Sequence, residues 1–116
     1  MRFIHSGGLL TKDPDSDEPF FTDWGRDGRI GSTVGITTST WDVDGPDADL
    51  VSASPGIGTL NYTTQVFTAS AAGQVTKAHL TGGTLHATYT VTNTIVTNET
   101  PARTVESSFT VLIQQE

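Results

Sequence analysis

The histidines are the first side chains to consider for acid–base or metal chemistry, because the chain contains no cysteine. His5 lies near the amino terminus, and His79 and His86 lie on either side of a Gly82-Gly83 pair. Nucleophilic catalysis needs a base within reach of the nucleophile, and a metal site needs ligands at a repeated spacing. Neither pattern surrounds these histidines. We therefore predict solvated histidines, and we expect no catalytic residue, no metal site and no cofactor.

Two acidic stretches have the composition of loops that bind hard cations. Residues 13–18 place three aspartates at alternate positions, and residues 42–49 place four around Gly45. In the first stretch Glu18 stands where an EF-hand loop needs glycine, and Trp24 stands where it needs the bidentate glutamate. The second stretch lacks a terminal acidic ligand at the required offset. We interpret both as solubilising loops, and calcium binding remains the alternative.

The overall charge limits the classes of partner. The chain has 116 residues, with 13 acidic and 6 basic side chains and a net charge of −7. A nucleic-acid groove or an anionic membrane surface attracts the opposite charge. No continuous apolar stretch predicts a signal peptide or a membrane-spanning helix. We therefore expect no nucleic acid and no membrane among the partners.

The sequence is typical of β-strands. It contains 21 threonines, most of them in the second half, and a β-branched hydroxyl side chain suits the exposed face of a sheet. Apolar and polar residues alternate from Leu85 to Ile95 and from Val105 to Gln114. The segment from Asn98 to Ala102 contains turn residues, so these two runs predict a β-hairpin.

Further strand-like runs cover residues 33–43, 49–53, 61–68 and 74–80, with Gly- and Pro-containing turns between them. No window keeps a helical period for three turns. We predict an all-β fold, an antiparallel immunoglobulin-like β-sandwich of about seven strands with an extended N-terminal arm. Tyr89 lies near the start of the penultimate strand, where it predicts a tyrosine corner, and the alternative is a large strand residue without that role. The arm and its acidic loop comprise residues 1–18, and the sandwich domain comprises residues 19–116.

The apolar residues divide between core and surface. Trp41 has strand-periodic neighbours, and we assign it to the core. Trp24 lies among Asp and Gly, which leaves two interpretations open, a lid over the core or an anchor at an interface. The predicted structural core comprises Trp41, Tyr89, Val91, Phe109 and Val111, and the predicted interface comprises Phe3, Ile4, Leu9, Leu10 and Trp24. We expect the arm to become ordered on a neighbouring subunit.

Several short motifs, taken in order, resemble those of the bacteriophage fibre-tail adaptors, a family of small virion structural proteins. The resemblance extends over most of residues 12–113 and rests on Lys12-Asp13-Pro14-Asp15, Asp23-Trp24, Ser39-Thr40-Trp41-Asp42-Val43, Leu80-Thr81-Gly82-Gly83-Thr84, Tyr89-Thr90-Val91-Thr92-Asn93-Thr94-Ile95 and Ser107-Phe109-Val111.

This resemblance implies a compact β-sandwich in the virion, at the tail or neck, without catalytic activity. The partners would be other virion proteins, namely tail, neck or fibre subunits, with several copies arranged around a symmetry axis. It would be made in the host cytoplasm. Two other classes remain open, because a fold does not decide function. One is a capsid decoration protein, and the other is a carbohydrate-binding or adhesin module, which should present several aromatic side chains on one face.

Overall fold

The computed structural model describes residues 2–3, 7–26, 28–31, 33–71 and 73–115, and it gives the backbone alone for Arg2 and Phe3. These residues form nine β-strands and no helix. The strands are β1 (Arg2–Phe3), β2 (Leu9–Lys12), β3 (Asp17–Asp23), β4 (Ile36–Asp44), β5 (Leu50–Asn61), β6 (Val66–Ala69), β7 (Val75–Gly82), β8 (Thr88–Thr97) and β9 (Thr104–Ile113).

The strands form two sheets. The first has the order β1-β3-β7-β5-β6, and the second has the order β2-β9-β8-β4. The neighbours β3, β7 and β5 correspond to strands B, E and D of an immunoglobulin sandwich, and β9, β8 and β4 correspond to G, F and C. The predicted all-β, immunoglobulin-like sandwich is confirmed. Parallel pairing occurs only where β1 joins β3 and β2 joins β9, among the strands described.

The core lies between the sheets and consists of two clusters. The larger cluster includes Phe20 from the first sheet and the predicted core residues of β8 and β9, which are at most 2% exposed. Trp41 is half-buried and packs against the edge of this cluster. The smaller cluster comprises Trp24, Ile30, Ile36 and Ile95. The predicted core residues of β8 and β9 in the larger cluster are Tyr89, Val91, Phe109 and Val111.

The carboxyl-terminal hairpin has the predicted form. β8 and β9 pair antiparallel from Thr88 opposite Leu112 to Val96 opposite Thr104, and residues 98–103 connect them. Inward positions alternate with outward ones along both strands. Because one face of the pair is buried, the alternation fixes the register.

Tyr89 forms the predicted tyrosine corner. Its hydroxyl accepts a hydrogen bond from the backbone N–H of Thr84 at 3.0 Å, five residues upstream. It also donates to the Asp47 carboxylate at 2.5 Å. The phenol therefore fixes both the β7–β8 turn and the β4–β5 loop against the core.

The N-terminal segment differs from the expected arm. Leu9 to Lys12 pair in parallel with β9, from Leu9 opposite Thr110 to Lys12 opposite Ile113, and Arg2 and Phe3 pair with β3. The described residues of the segment thus extend both sheets instead of leaving the domain. β2 and β3 pair with strands that are distant in the sequence, and such pairing leaves no local pattern of residues. Neither strand was therefore predicted from the sequence.

The region around residues 54–58 also differs from prediction. The sequence Pro55-Gly56-Ile57-Gly58 suggested a turn, but β5 passes through it with a register shift between Ala53 and Gly56. Ser54 has a φ of 52°, so a β-bulge accommodates the proline without ending the strand. The turn comes later, at residues 62–65, within the run predicted as a strand.

Candidate functional site

The two acidic stretches lie at the same end of the sandwich. Asp17 pairs opposite Thr81 where β3 begins, and Leu50 pairs opposite Gly82 where β5 begins. The Gly83 N–H donates to the Asp49 carbonyl at 3.1 Å. The loops that contain residues 13–18 and 45–49 therefore flank one turn, the β7–β8 turn. We call this region the acidic end.

A buried lysine lies beneath the acidic end. Lys12 has no exposed surface, and its Nζ donates to the carbonyl oxygens of Asp13 and Gly82 at 2.8 Å each. Burial lowers the pKa of Lys12 from its usual 10.5, while the nearby Glu18, Asp13, Asp17 and Asp15 carboxylates act in the opposite direction. The side chain ties β2 to the β7–β8 turn.

The Asp47 carboxylate is the centre of a hydrogen-bond network at this end. It accepts from the Tyr89 hydroxyl, from the Thr84 hydroxyl at 2.8 Å and from the Asp49 N–H at 3.1 Å. These bonds lower the pKa of Asp47 below its usual 3.8. Thr84 Oγ1 also lies 2.8 Å from the Asp49 carboxylate. The network orders the β4–β5 loop.

The two histidines within the described residues, His79 and His86, occupy different elements. His79 Nδ1 lies 3.0 Å from the Asp17 carboxylate on the outer face of the first sheet. His86 occupies the β7–β8 turn with a φ of 69°, and His5 is outside the described residues. Within the described ranges, no three histidine, cysteine, aspartate or glutamate side chains are grouped as metal ligands would be.

The arginines at the opposite end are paired or stacked. The Arg29 guanidinium lies 5.3 Å from the centre of the Trp24 ring and donates to the Glu106 carbonyl at 2.5 Å. Arg103 donates to Glu99 at 2.7 Å, which lowers the pKa of that carboxyl. The charge of the molecule is therefore distributed unevenly between its two ends.

Leu9, Leu10 and Trp24, the predicted interface residues with described side chains, do not form one patch. Leu9 is 64% exposed on β2, whereas Leu10 is half-buried and packs against the larger core cluster. Trp24 is fully buried, and its Nε1 donates to the Thr76 hydroxyl at 2.9 Å. This corrects its assignment as an interface anchor, because it presents no surface to a partner. The backbone of Phe3 pairs opposite Phe21, and Ile4 lies outside the described residues.

A buried polar network that the sequence did not predict joins the two sheets. Trp24 donates to Thr76, and Thr76 Oγ1 donates to the Asn93 side-chain oxygen at 2.6 Å. The Asn93 amide in turn donates to the Ser39 hydroxyl and the Thr40 carbonyl at 2.9 Å. Asn93 interrupts the apolar alternation from Leu85 to Ile95. This interruption is the one sign of the network that the sequence offers.

The open side of the sandwich, between β4 and β5, contains a cleft of about 270 Å³. Its lining includes Ser39 and Trp41 from β4, Ser52, Ala53 and Pro55 from β5, and Ala78 from β7. The Trp41 Nε1–H is buried and has no hydrogen-bond acceptor in the described part of the chain. Sequence reasoning missed this cleft, because its shape depends on the bulge in β5.

Among the side chains that the structure describes, the aromatic ones do not form an open platform for a sugar. Phe21 and Phe67 approach on the outer face of the first sheet, with ring centres 5.9 Å apart, and the Lys77 ammonium lies 5.0 Å from the centre of the Phe67 ring. Phe21 is only 5% exposed. Tyr62 is 41% exposed but hydrogen-bonds to Asp23 and stacks under Arg26. This arrangement does not favour the carbohydrate-binding alternative.

Comparison with protein families identifies a family that matches most of the chain. The model of the family described as Podophage GP4 fiber-tail adaptor protein gp77 matches residues 12–112, which is the stretch from the end of β2 to β9. No curated protein matches the chain. Separately, none of the described residues belongs to a helix long and apolar enough to cross a membrane.

Proposed function

This chain belongs to the podophage fibre-tail adaptor family, and from that premise we propose that it links the fibre, or a neighbouring subunit, to the phage tail or neck. Its general role as a structural protein of the phage tail follows from the family. What we propose beyond that general role is the specific connection of the fibre, or a neighbouring subunit, to the tail or neck. We further propose that it has no catalytic activity.

The family match over residues 12–112 is the observation on which the proposal rests. Those residues include strands β3 to β8, all of β9 except its last residue, the Lys12 tie and the Asp47 network. The match therefore covers most of both sheets and both ends of the sandwich, not one shared strand or turn. The immunoglobulin-like fold alone would support no function.

The surface suits a protein that contacts other proteins. Leu9 on β2 and Val66 on β6 are exposed at 64% and 54%, at edges of the second and first sheets, respectively. A net charge of −7 opposes binding to nucleic acid. We propose that several copies surround a symmetry axis and that Leu9 contacts a neighbouring virion protein.

Particle assembly tests the role directly. A phage that lacks this gene should produce tailed particles without fibres, and the wild-type gene supplied in trans should restore the fibres. Labelled protein should lie at the tail or neck in particle images. Label on the capsid face would instead identify a decoration protein, and normal fibres without the gene would refute the linking role.

A point variant tests the Leu9 contact. Leu9→Ser should leave the unfolding midpoint nearly unchanged and should reduce incorporation into particles. Val66→Ser is a matched control, because it removes a similarly exposed apolar side chain from another edge. Deleting residues 1–11 would be less informative, since Leu10 packs against the core.

A further inference from the structure

The edge of the second sheet at β4 is unpaired among the described strands. β4 pairs with β8 along one side and ends the strand order of its sheet. The carbonyl oxygens of Thr94 and Val96 accept bonds from the hydroxyls of Thr40 and Thr37, so they point toward β4. Their register partners on β4 are therefore the residues whose N–H and C=O groups face β8.

In an antiparallel ladder, successive residues direct their N–H and C=O groups to opposite sides, so the direction of the remaining groups on β4 follows. Thr38 and Thr40, opposite Val96 and Thr94, face β8. The N–H and C=O groups of the residues that alternate with them on β4 point away from β8, toward the unpaired side of the strand. These residues are Ser39, Trp41 and Val43. An edge of this kind can accept a further strand.

The indole of Trp41 adds an independent sign of a missing partner. Its Nε1–H is buried and lacks an acceptor, although buried donors are nearly always satisfied. Trp41 lines the cleft beside the edge. A segment that brought an acceptor within hydrogen-bond distance of Nε1 would satisfy this donor.

The opposite wall of the cleft is held open by the bulge in β5. Ser54 adopts a left-handed conformation with a φ of 52°, and the register shifts between Ala53 and Gly56. Non-glycine residues in this conformation are strained, and bulges occur frequently next to functional sites. Small side chains line the wall, so the cleft has room for an inserted side chain.

We propose that the open edge of β4 binds an extended segment of a neighbouring tail or fibre protein as an additional strand, with a side chain of that segment in the cleft. This inference rests on the proposed function. Asp42 and Asp44 are exposed on the same strand, so the segment has a lysine or arginine opposite them. A second copy of the chain is disfavoured, because it brings a net charge of −7 and its own Asp42 and Asp44.

Photo-cross-linking in assembled particles tests the proposal. A phage is grown with a benzophenone amino acid at Thr40, which is exposed on β4, and separately at Thr90, which is exposed on the neighbouring β8. We expect a cross-link from position 40, and none from position 90, to an extended, lysine- or arginine-containing segment of another virion protein. A cross-link from position 40 to a second copy, equal cross-linking from both positions, or none from either would overturn it. Absence of the wild-type chain from particles would refute the proposed function instead.

Trp41→Phe gives a second test that does not depend on cross-linking. The variant keeps an aromatic ring but removes the Nε1–H, a donor that has no acceptor among the described residues. The unfolding midpoint should therefore change little, whereas the amount incorporated in competition with wild type should fall about 3- to 10-fold, as expected for one lost hydrogen bond. Equal incorporation of the two proteins would contradict a role for this donor in binding.

Discussion

The β8–β9 hairpin and the N-terminal segment of residues 7–24 both contribute buried strands, but different interactions hold them in place. The hairpin has contiguous strands, a short connection and alternating apolar residues that fill the larger cluster. The N-terminal segment is held by contacts distant in sequence: an antiparallel ladder to β7, a parallel ladder to β9, the buried Phe20, the Lys12 bonds and the Trp24–Thr76 bond.

The difference shows that apolar alternation determines the central strands, whereas long-range strand pairing, the buried Phe20 and single polar groups together dock the N-terminal segment. A hairpin closes a short loop, so its ordering costs little chain entropy. A parallel strand must be brought from far along the sequence, and specific hydrogen bonds to backbone carbonyls fix its position. Disruption of the hairpin should therefore unfold the protein, whereas loss of one polar tie should weaken it.

The largest expected effect is that of Val111→Asp in the hairpin. Val111 has no exposed surface and lies opposite Tyr89, so the variant buries an unpaired carboxylate and should lower the free energy of unfolding by about 4 kcal/mol or more. Thr110→Asp, which places the same charge on the other face, should be tolerated. Circular dichroism during urea titration distinguishes them, and equal damage would show that the assigned faces are wrong.

Strands held by local patterns, as in the hairpin, could be predicted from the sequence, whereas strands held by long-range contacts, as in the N-terminal segment, could not. The β8–β9 hairpin, its turn and the Tyr89 corner were predictable, because alternation and turn chemistry are local. β2 and β3 were not, since Lys12 becomes interpretable only when the Gly82 carbonyl is known to lie beside it. The β5 bulge was mistaken for a turn for a related reason: a proline and two glycines usually end a strand, and tertiary packing kept this one intact.

The surfaces available for binding were predicted less well than the fold. Leu9, which was predicted to lie at an interface, is exposed, but Trp24, which was predicted there too and has polar neighbours in sequence, is fully buried. The β4 edge and its cleft depend on which strand ends the sheet and on the bulge opposite. Neither property can be calculated from the residues of β4 alone.

An intermediate effect is expected for Lys12→Met in the N-terminal segment. The variant keeps the apolar stem but leaves the Asp13 and Gly82 carbonyls without their charged donor, so we expect a loss of about 1–3 kcal/mol in the free energy of unfolding. Lys77→Met on the outer face should change it by about 0.5 kcal/mol. Greater stability of Lys12→Met would show that the desolvation of the ammonium outweighs its bonds.

The pH dependence of Lys12→Met provides a further check. Because the pKa of Lys12 is lowered on folding, the folded state releases the proton more readily than the unfolded state does. The stability of the wild type relative to the variant should therefore increase as pH rises through the folded pKa toward 10.5. A relative decrease over that range would contradict the direction of the shift.

The smallest effect is expected for Asp47→Asn, which alters the link between the acidic end and the hairpin. The asparagine is isosteric and keeps one oxygen acceptor, but it accepts more weakly from the Tyr89 and Thr84 hydroxyls, so the denaturation midpoint at neutral pH should fall only slightly.

Because folding lowers the pKa of Asp47, the stability that its carboxylate contributes is present in full above 3.8 and is lost as pH falls through the folded value. The difference between wild type and variant should accordingly disappear in acid. Thermal denaturation of both proteins, together with Asp42→Asn as an exposed aspartate outside the network, measures this. A difference that persists in strong acid would mean that Asp47 acts through packing and not through its charge.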